Sequence, residues 1–184
     1  MRLRLIILLG LASLCILAFV ISGCSQLSSA ESTVEKKFSA MEPELTIRYN
    51  KLSEATSLME KAGGKRDVVT DAKQSLKAYS TAKKKKDVTG ELSAARKLET
   101  ILGRLRANAI TSPKLSSSAE VSRSLDTVDS ALPASLVRKA YTDSVKSYES
   151  KRTSLRYFLS SLVGGYSSPE QLEFSLPPAP SDAK

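Results

Sequence analysis

The stretch "LTIRYNKLSEATSLMEKAGG", residues 45–64, decides what kind of fold the chain can form. Its apolar side chains recur three, four and seven residues apart, which places them on one face of an α-helix. Arg48 is the single interruption of that face, and Gly63-Gly64 provides an end for the helix. The face also extends upstream, and its apolar members are Val34, Phe38, Met41, Leu45, Leu52, Ala55 and Met59.

Later stretches of the chain have the same helical spacing, and none shows the sustained alternation of a β-strand. We expect the first strong helix to begin at Pro43, because proline is tolerated in a first turn. A capping box at Ser117–Glu120 predicts the start of a long last helix, which Pro133 kinks or breaks and Gly164-Gly165 ends. The second and third helices are predicted over Asp67–Lys84 and Glu91–Ala109.

The composition agrees with helices packed on helices. The 184 residues are 41% hydrophobic, 26% charged and 5% aromatic, and they include no Trp. Few aromatic residues favour a helical protein over a β-sandwich or barrel, and short connections favour antiparallel neighbours. We therefore predict an all-α fold: an up-and-down antiparallel bundle of about four long helices after an N-terminal membrane segment.

The N-terminus has the order of a secretory signal, which is a basic start, an apolar run and then small residues. Arg2 and Arg4 precede the apolar stretch Leu5–Ile21, and Ser22-Gly23-Cys24 follows it. The 17 residues of this stretch would form a helix of roughly 26 Å, which is shorter than the roughly 30 Å hydrocarbon core of a membrane. A leader sequence is therefore favoured over a stable span.

Ile21-Ser22-Gly23-Cys24 also resembles the lipobox of prokaryotic lipoproteins. In such a site small side chains precede the cut, and the thiol of the next residue receives a diacylglyceryl group that anchors the protein. Lipid attachment at Cys24 is the leading prediction, and an uncleaved signal anchor and a buried core helix are the alternatives. With either anchor, Arg2 and Arg4 stay cytoplasmic, and the body is expected on the extracytoplasmic side of the membrane.

Four regions follow from this reading of the chain. Within the second region, Ser25–Thr33 is polar and rich in serine, which predicts a flexible tether. From Leu176 onward the chain is expected to be extended and loose. The regions are a signal peptide or apolar membrane segment (1–23), an anchor and tether (24–42), a helical bundle (43–166) and a Pro-rich tail (167–184).

Five segments follow one another in a recognisable order: "DVVTDAKQSLKAYS" (67–80), "LGRL" (102–105), "SPKLSSSAEV" (112–121), "YTDSVKSY" (141–148), and Gly165-Tyr166 with Phe174. Taken together, they resemble the LemA family of membrane-anchored helical proteins over roughly residues 49–180. The similar segments of that family are, in the same order, "DLIPNLVETVKGYA", "LGRL", "YPDLKANENF", "YNDAVREY" and a closing "GF…F".

The resemblance implies an N-terminal membrane segment followed by an α-helical bundle, and it implies no established enzyme activity. The chain departs from the family's pattern at several positions. Thr70 stands in place of the family's proline, and Asp71 and Thr142 stand in place of its asparagines. Its "RRADL" basic pair corresponds to Lys65-Arg66, and Gly63-Gly64 interrupts a helix that the family usually continues. These differences are those of a divergent member.

The strongest local charge is Lys83-Lys84-Lys85-Lys86, within a chain of net charge +9. These four lysines are a candidate contact for an anionic membrane surface. The alternative is a solvated helix end, where cations also favour the helix dipole. Acids such as Glu99 lie among the other basic residues, which indicates an ordinary solvated surface.

The residue inventory argues against an enzyme. The chain has no His, and Cys24 is the one cysteine that remains if the leader with Cys15 is removed. Asp126 with Asp129, and Glu42 with Glu44, are interpreted as solvated acids. No phosphate loop or metal-ligand spacing is recognisable, so we predict no catalysis, cofactor, metal site or small-molecule substrate. Tyr141, Val145 and Tyr148 are expected to pack, with the tyrosine hydroxyls at the boundary of the core, rather than to line a ligand groove. A second group is expected to form core or inter-helix contacts rather than a cofactor site: Phe158, Leu159 and Leu162.

These observations lead to two functional hypotheses. The first is a membrane-anchored, envelope-facing helical bundle that acts as a non-enzymatic scaffold or adaptor for other membrane or envelope proteins. The alternative is a binding module for anionic lipid or an acidic envelope polymer, through the basic helix faces. Nucleic acid fits the charge but not the compartment, and no nucleic-acid motif is visible, so it is not expected as a partner.

Overall fold

The helix that contains Arg48 is much longer than the sequence predicts. The computed structural model describes residues 2–169 and 171–175, and in it helix α1 runs over Arg2–Lys61. The expected start at Pro43 is therefore wrong. The expectation of a flexible tether over Ser25–Thr33 is wrong as well, because that segment is helical. Pro43 removes one N–H from the helix ladder, but its neighbours keep α1 continuous.

Six further α-helices and one short 3₁₀-helix follow α1 among the described residues, which contain no strand. The all-α prediction is confirmed, and the predicted second and third helices are present with slightly wider bounds. The elements are α2 (Arg66–Lys85), α3 (Val88–Thr111), α4 (Pro113–Ser116), α5 (Ala119–Ser130), α6 (Ser135–Thr153), the 3₁₀-helix (Leu155–Tyr157) and α7 (Phe158–Gly164). Residues 176–184, where a loose tail is predicted, lie outside the described residues.

Side-chain caps define the starts of two helices. The carboxylate of Asp87 accepts the N–H of Gly90 at 2.9 Å and so begins α3. The predicted capping box at Ser117 is wrong, because Ser118 rather than Ser117 caps α5 and Val121 rather than Glu120 lies three residues after the cap. The Ser118 hydroxyl accepts the N–H of Val121 at 3.4 Å.

Glycine and proline end helices where the sequence predicts. Beyond the end of α1, Gly63 has a φ of 85°, and Gly165 after α7 has a φ of 65°. These left-handed conformations favour glycine over residues that carry a Cβ atom. Pro133 lies between the end of α5 and the start of α6, so the predicted long last helix is broken there.

The chain divides into two compact units. The first, called here the N-terminal unit, comprises Met1–Phe38 and Lys139–Pro169. The second, called the bundle unit, comprises Ser39–Arg138 and Glu170–Lys184. Helices α2 to α5 belong entirely to the bundle unit, whereas α1 and α6 contribute residues to both.

Within the bundle unit, α1 and α2 run antiparallel. Glu60 near the end of α1 pairs with Lys73 in the first half of α2, at 2.6 Å. Glu42, more than four turns earlier in α1, pairs with Lys83 at the end of α2, at 2.9 Å. The edge of one tyrosine ring meets the face of another between these pairs, with 4.8 Å between the ring centroids of Tyr49 and Tyr79.

Helices α2 and α3 also run antiparallel. Only Lys86 and Asp87 connect them, and Lys86 has the left-handed conformation that reverses the chain. Away from this turn, Arg104 in α3 pairs with Asp71 in α2 at 2.6 Å.

The predicted apolar face of α1 is fully buried from Val34 to Met59, as the sequence indicates.

Arg48, the interruption of that apolar face, is completely buried in the bundle unit. Its side chain is 0% exposed, and the side chain of its partner Glu99 in α3 is 2% exposed. The pair is bidentate: Nε donates to one carboxylate oxygen at 2.8 Å, and Nη2 donates to the other at 3.0 Å. The interpretation of Glu99 as part of a solvated surface is therefore wrong.

The Arg48–Glu99 pair extends into a network that includes α5 and the segment 171–175. Arg48 Nη1 donates to the carbonyl of Val128 at 2.6 Å, and the backbone N–H of Ser175 donates to Glu99 at 3.0 Å. Arg106 donates to the Ser175 hydroxyl at 2.6 Å and forms an ion pair with Asp129. Buried polar groups of four chain segments thus meet in one place and satisfy each other.

We predict that Arg48→Met destabilises the bundle unit by about 3–5 kcal/mol, because the Glu99 carboxylate then remains buried without its cationic partner. The double variant Arg48→Met/Glu99→Met is expected to recover part of this loss, since the unpaired charge is removed. Urea unfolding of the full chain in a mild detergent, with amide hydrogen exchange in α3 as a local probe, measures both effects. A double variant no more stable than Arg48→Met would contradict this account.

Candidate functional site

The apolar stretch of α1 is not covered by the rest of the chain. The large apolar side chains described there, Leu11, Leu14, Leu17, Phe19 and Ile21, are 47–66% exposed. A buried core helix would enclose these side chains, so the structure does not favour that alternative. By length and composition, α1 is sufficient to cross a membrane or to act as a signal sequence.

Cys24 lies where this apolar stretch ends, and its surroundings come from the C-terminal part of the N-terminal unit. The thiol is free and half-buried, and it donates to the carbonyl of Ser160 in α7 at 3.6 Å. The hydroxyl of Tyr166 donates to the carbonyl of Cys24 at 2.8 Å. The predicted lipid-attachment residue therefore lies directly beside α7.

Helix α7 and the 3₁₀-helix before it contact α1 on both sides of the predicted cleavage point. Before that point, the hydroxyl of Ser160 donates to the carbonyl of Val20 at 3.1 Å. After it, the hydroxyl of Tyr157 donates to the side chain of Gln26. Ser160 itself is completely buried in this contact.

Gly23 is small for a packing reason as well as for the one proposed from the sequence. A Cβ atom at this position would overlap the hydroxyl of Ser160 and approach its Cβ to 2.8 Å. Glycine is therefore required where α7 approaches the α1 backbone. Sequence reasoning assigned the smallness of Gly23 to a signal peptidase alone, because the α7 contact lies more than 130 residues away in the chain.

The tyrosines of α6 form the core of the N-terminal unit, as predicted. Tyr141, Val145 and Tyr148 are each 1% exposed, and the ring of Phe38 lies 6.1 Å from that of Tyr141. Burial, and next the nearby charge of Glu31, raise the pKa of Tyr148 to about 12, so its phenol is neutral near pH 7.

The prediction that Phe158, Leu159 and Leu162 form core or inter-helix contacts is wrong. All three are exposed, because α7 directs Ser160 rather than these side chains toward α1. The pattern of a short apolar helix gave no indication of which face is covered.

The four predicted surface lysines do not share one environment. Lys83 is held in the bundle unit by Glu42 at 2.9 Å and by the hydroxyl of Thr46 at 2.6 Å. Lys84, Lys85 and Lys86 are exposed at the end of α2. The solvated alternative therefore does not describe Lys83, and the structure leaves three adjacent cations on the surface.

The Lys83–Glu42 pair has a buried acidic neighbour, Glu91. Burial is the main cause that raises the pKa of Glu91, the charge of Glu42 raises it further, and the nearby Lys83 ammonium opposes the rise. One carboxylate oxygen of Glu91 has no hydrogen-bond partner among the described atoms.

The paired acids of the sequence separate into different structural roles. Glu42 binds Lys83, whereas Glu44 accepts the backbone N–H of Ala134 at 2.6 Å, just before α6. Asp129 is paired with Arg106, so its interpretation as a solvated acid is wrong, while Asp126 is exposed as expected.

Residues 2–169 and 171–175 contain no group of three or more His, Cys, Asp or Glu side chains that could hold a metal ion. No protein-family model, no curated protein and no solved structure matches the chain. The arrangement around Cys24, Gly23 and Ser160, together with the exposed lysines, therefore has to be interpreted from its own geometry.

We predict that Gly23→Ala loosens α7 from α1, because the added Cβ overlaps Ser160. The full chain, made by cell-free synthesis in detergent so that residues 1–23 are retained, should be cut faster by trypsin at Lys151, Arg152 and Arg156. Gly10→Ala is the matched control, since no atom outside its own helix lies within 4 Å of the added Cβ.

Gly23→Ala/Ser160→Gly removes the overlapping side chain and should restore much of the resistance to trypsin. Equal cleavage of Gly23→Ala and Gly10→Ala would show that Gly23 is not required for the contact with α7.

Proposed function

We propose that this protein is a membrane-anchored helical bundle that acts as a non-enzymatic scaffold or adaptor for other membrane or envelope proteins. The observation that carries the proposal is the composition of α1. The same helix contains an exposed apolar stretch up to Ile21 and, from Leu45 to Met59, residues of the bundle core. An anchor of this kind keeps the bundle at a membrane and restricts its search for partners to two dimensions.

We propose lipid attachment at Cys24 as the mature anchor, with a retained span as the alternative. The lipobox-like Ile21-Ser22-Gly23-Cys24 supports the first form, and the contacts of α7 with Val20 and Gly23 support the second. In either form the cationic start at Arg2 and Arg4 favours an extracytoplasmic body.

The bundle is further proposed to be an up-and-down four-helix arrangement of the LemA type. The antiparallel pairs α1–α2 and α2–α3 support this topology, and α5 would supply a fourth helix, because Val128 accepts a hydrogen bond from Arg48 of α1. The ordered set of five family-like segments supports the same assignment, and the resemblance implies no established enzyme activity.

Three exposed apolar side chains of the bundle unit are the proposed contacts for protein partners. Ile47 lies on α1, Ile110 near the end of α3 and Leu136 in the first turn of α6, and each is more than half exposed. Burial of these side chains against a partner would remove apolar area from water, which favours binding.

Photo-crosslinking in membranes of the host tests the adaptor role. A crosslinking amino acid at Ile47, Ile110 or Leu136 is expected to give discrete protein adducts that remain after washing at high salt. The matched control is Thr100, an exposed polar position on α3. An absence of protein adducts from all three apolar positions, or equal adducts from Thr100, would contradict the proposal.

The second candidate is a binding module for anionic lipid or an acidic envelope polymer, and the exposure of Lys84, Lys85 and Lys86 favours it. We expect Lys84→Gln/Lys85→Gln/Lys86→Gln to elute from immobilised polyglutamate at a lower salt concentration than the unmodified chain, because clustered charges act together. Lys83 is left intact in this variant, since it pairs with Glu42.

The matched control removes three exposed lysines that lie apart, in Lys77→Gln/Lys97→Gln/Lys114→Gln. Both variants lose the same net charge. If they elute at the same salt concentration, the lysine cluster is not a binding site and only the overall charge acts.

A further inference from the structure

A contiguous set of large apolar side chains is exposed on α7 and the turn before it. Leu155, Phe158, Leu159, Leu162 and Val163 are between 46% and 92% exposed. Five such residues within nine positions are unusual on a surface that faces water, where apolar side chains are usually scattered singly. We call this set the α7 apolar face. Its side chains do not take part in the described hydrogen bonds with α1, which involve Tyr157, Ser160 and Tyr166.

The opposite side of α7 fixes its place along α1. Ser160 contacts Val20 and Gly23, and Tyr157 contacts Gln26. These α1 residues lie at the end of the apolar stretch, where Phe19 and Ile21 are themselves exposed. The α7 apolar face is therefore level with the boundary between the apolar and polar parts of α1.

The residues around α7 have the chemistry of a membrane–water interface. Lys151 and Arg152 lie in the last turn of α6. Arg156 precedes α7, with its guanidinium 5.5 Å from the centre of the Tyr157 ring. The hydroxyls of Tyr157 and Tyr166 are bonded to α1 on the polar side of the boundary. Tyrosines and cations of this kind are typical where a helix meets lipid headgroups.

We infer that the α7 apolar face inserts into the interfacial layer of the membrane that holds the N-terminal anchor, as a second and non-covalent attachment. The inference rests on the anchor in the proposed function, and lipid is the occupant because the face continues the exposed apolar surface of α1. Insertion of such a face buries apolar area at the boundary of the headgroups and acyl chains. Arg156 and Lys151 remain among the headgroups.

A single introduced tryptophan tests this placement, because the chain contains no Trp of its own. The full chain, with residues 1–23 retained, is reconstituted in vesicles of phosphatidylcholine and phosphatidylglycerol whose acyl chains carry bromine near the headgroups. Leu162→Trp reports α7, Leu14→Trp reports the apolar stretch of α1, and Leu136→Trp is the control, an exposed leucine of the bundle unit.

We expect a large loss of fluorescence and a blue shift for Leu162→Trp and for Leu14→Trp, with neither change for Leu136→Trp. Quenching of Leu14→Trp alone would overturn the inference and leave the anchor intact. No quenching of Leu14→Trp would overturn the anchor and, with it, the inference. Equal quenching of Leu136→Trp and Leu162→Trp would also overturn the inference, because α7 would then not be distinguished from the bundle surface.

Discussion

The buried pair of Arg48 and Glu99 is the constraint on which the bundle unit depends. Two charges without exposure to water are costly unless they are paired and their remaining hydrogen-bonding capacity is used. Here the guanidinium donates two hydrogen bonds to the carboxylate. The guanidinium also donates to the carbonyl of Val128, and the carboxylate also accepts the backbone N–H of Ser175. A shift of α1 along α3 by one turn of about 5.4 Å would separate this pair and leave both charges buried and unpaired.

The same network explains why the segment 171–175 is packed although it has no regular secondary structure. Ser175 contacts Glu99 and Arg106 through its backbone and its hydroxyl, and Leu172 is buried. Asp129 neutralises Arg106, which is itself nearly buried. A short irregular segment is thus held by polar groups that the helices already require.

Periodicity predicted the helical class, the apolar face of α1 and the ends of most helices, because these depend on neighbouring residues. It did not predict the contacts of charged residues. The interruption of the face at Arg48 was the available signal, but its partner lies 51 residues away, and nothing in the local sequence distinguishes Glu99 from a surface acid. For the same reason the exposed side of α7 was assigned to the core, since α7 contacts α1 through Ser160, and the α1 residues in that contact lie near the other end of the chain.

The N-terminal unit combines two physical demands on the residues around Cys24. A lipoprotein peptidase favours small side chains at Ser22 and Gly23, and the close approach of α7 favours a small residue at Gly23 as well, so processing and packing make the same demand at Gly23. Cleavage before Cys24 would remove the contacts of Ser160 with Val20 and Gly23 but keep those of Tyr157 and Tyr166 with Gln26 and Cys24. In the cleaved form, the contacts of Tyr157 and Tyr166 are the ones that would hold α7 beside the anchor.

The most direct test of the central claim is the intact mass and N-terminus of the protein extracted from membranes of its own host. The account predicts a blocked N-terminus and the mass of residues 24–184 with acyl chains on Cys24. An unmodified chain that begins at Met1 would contradict lipid attachment and leave α1 as a retained span. Recovery of the unmodified protein outside the membrane fraction would contradict the anchor itself.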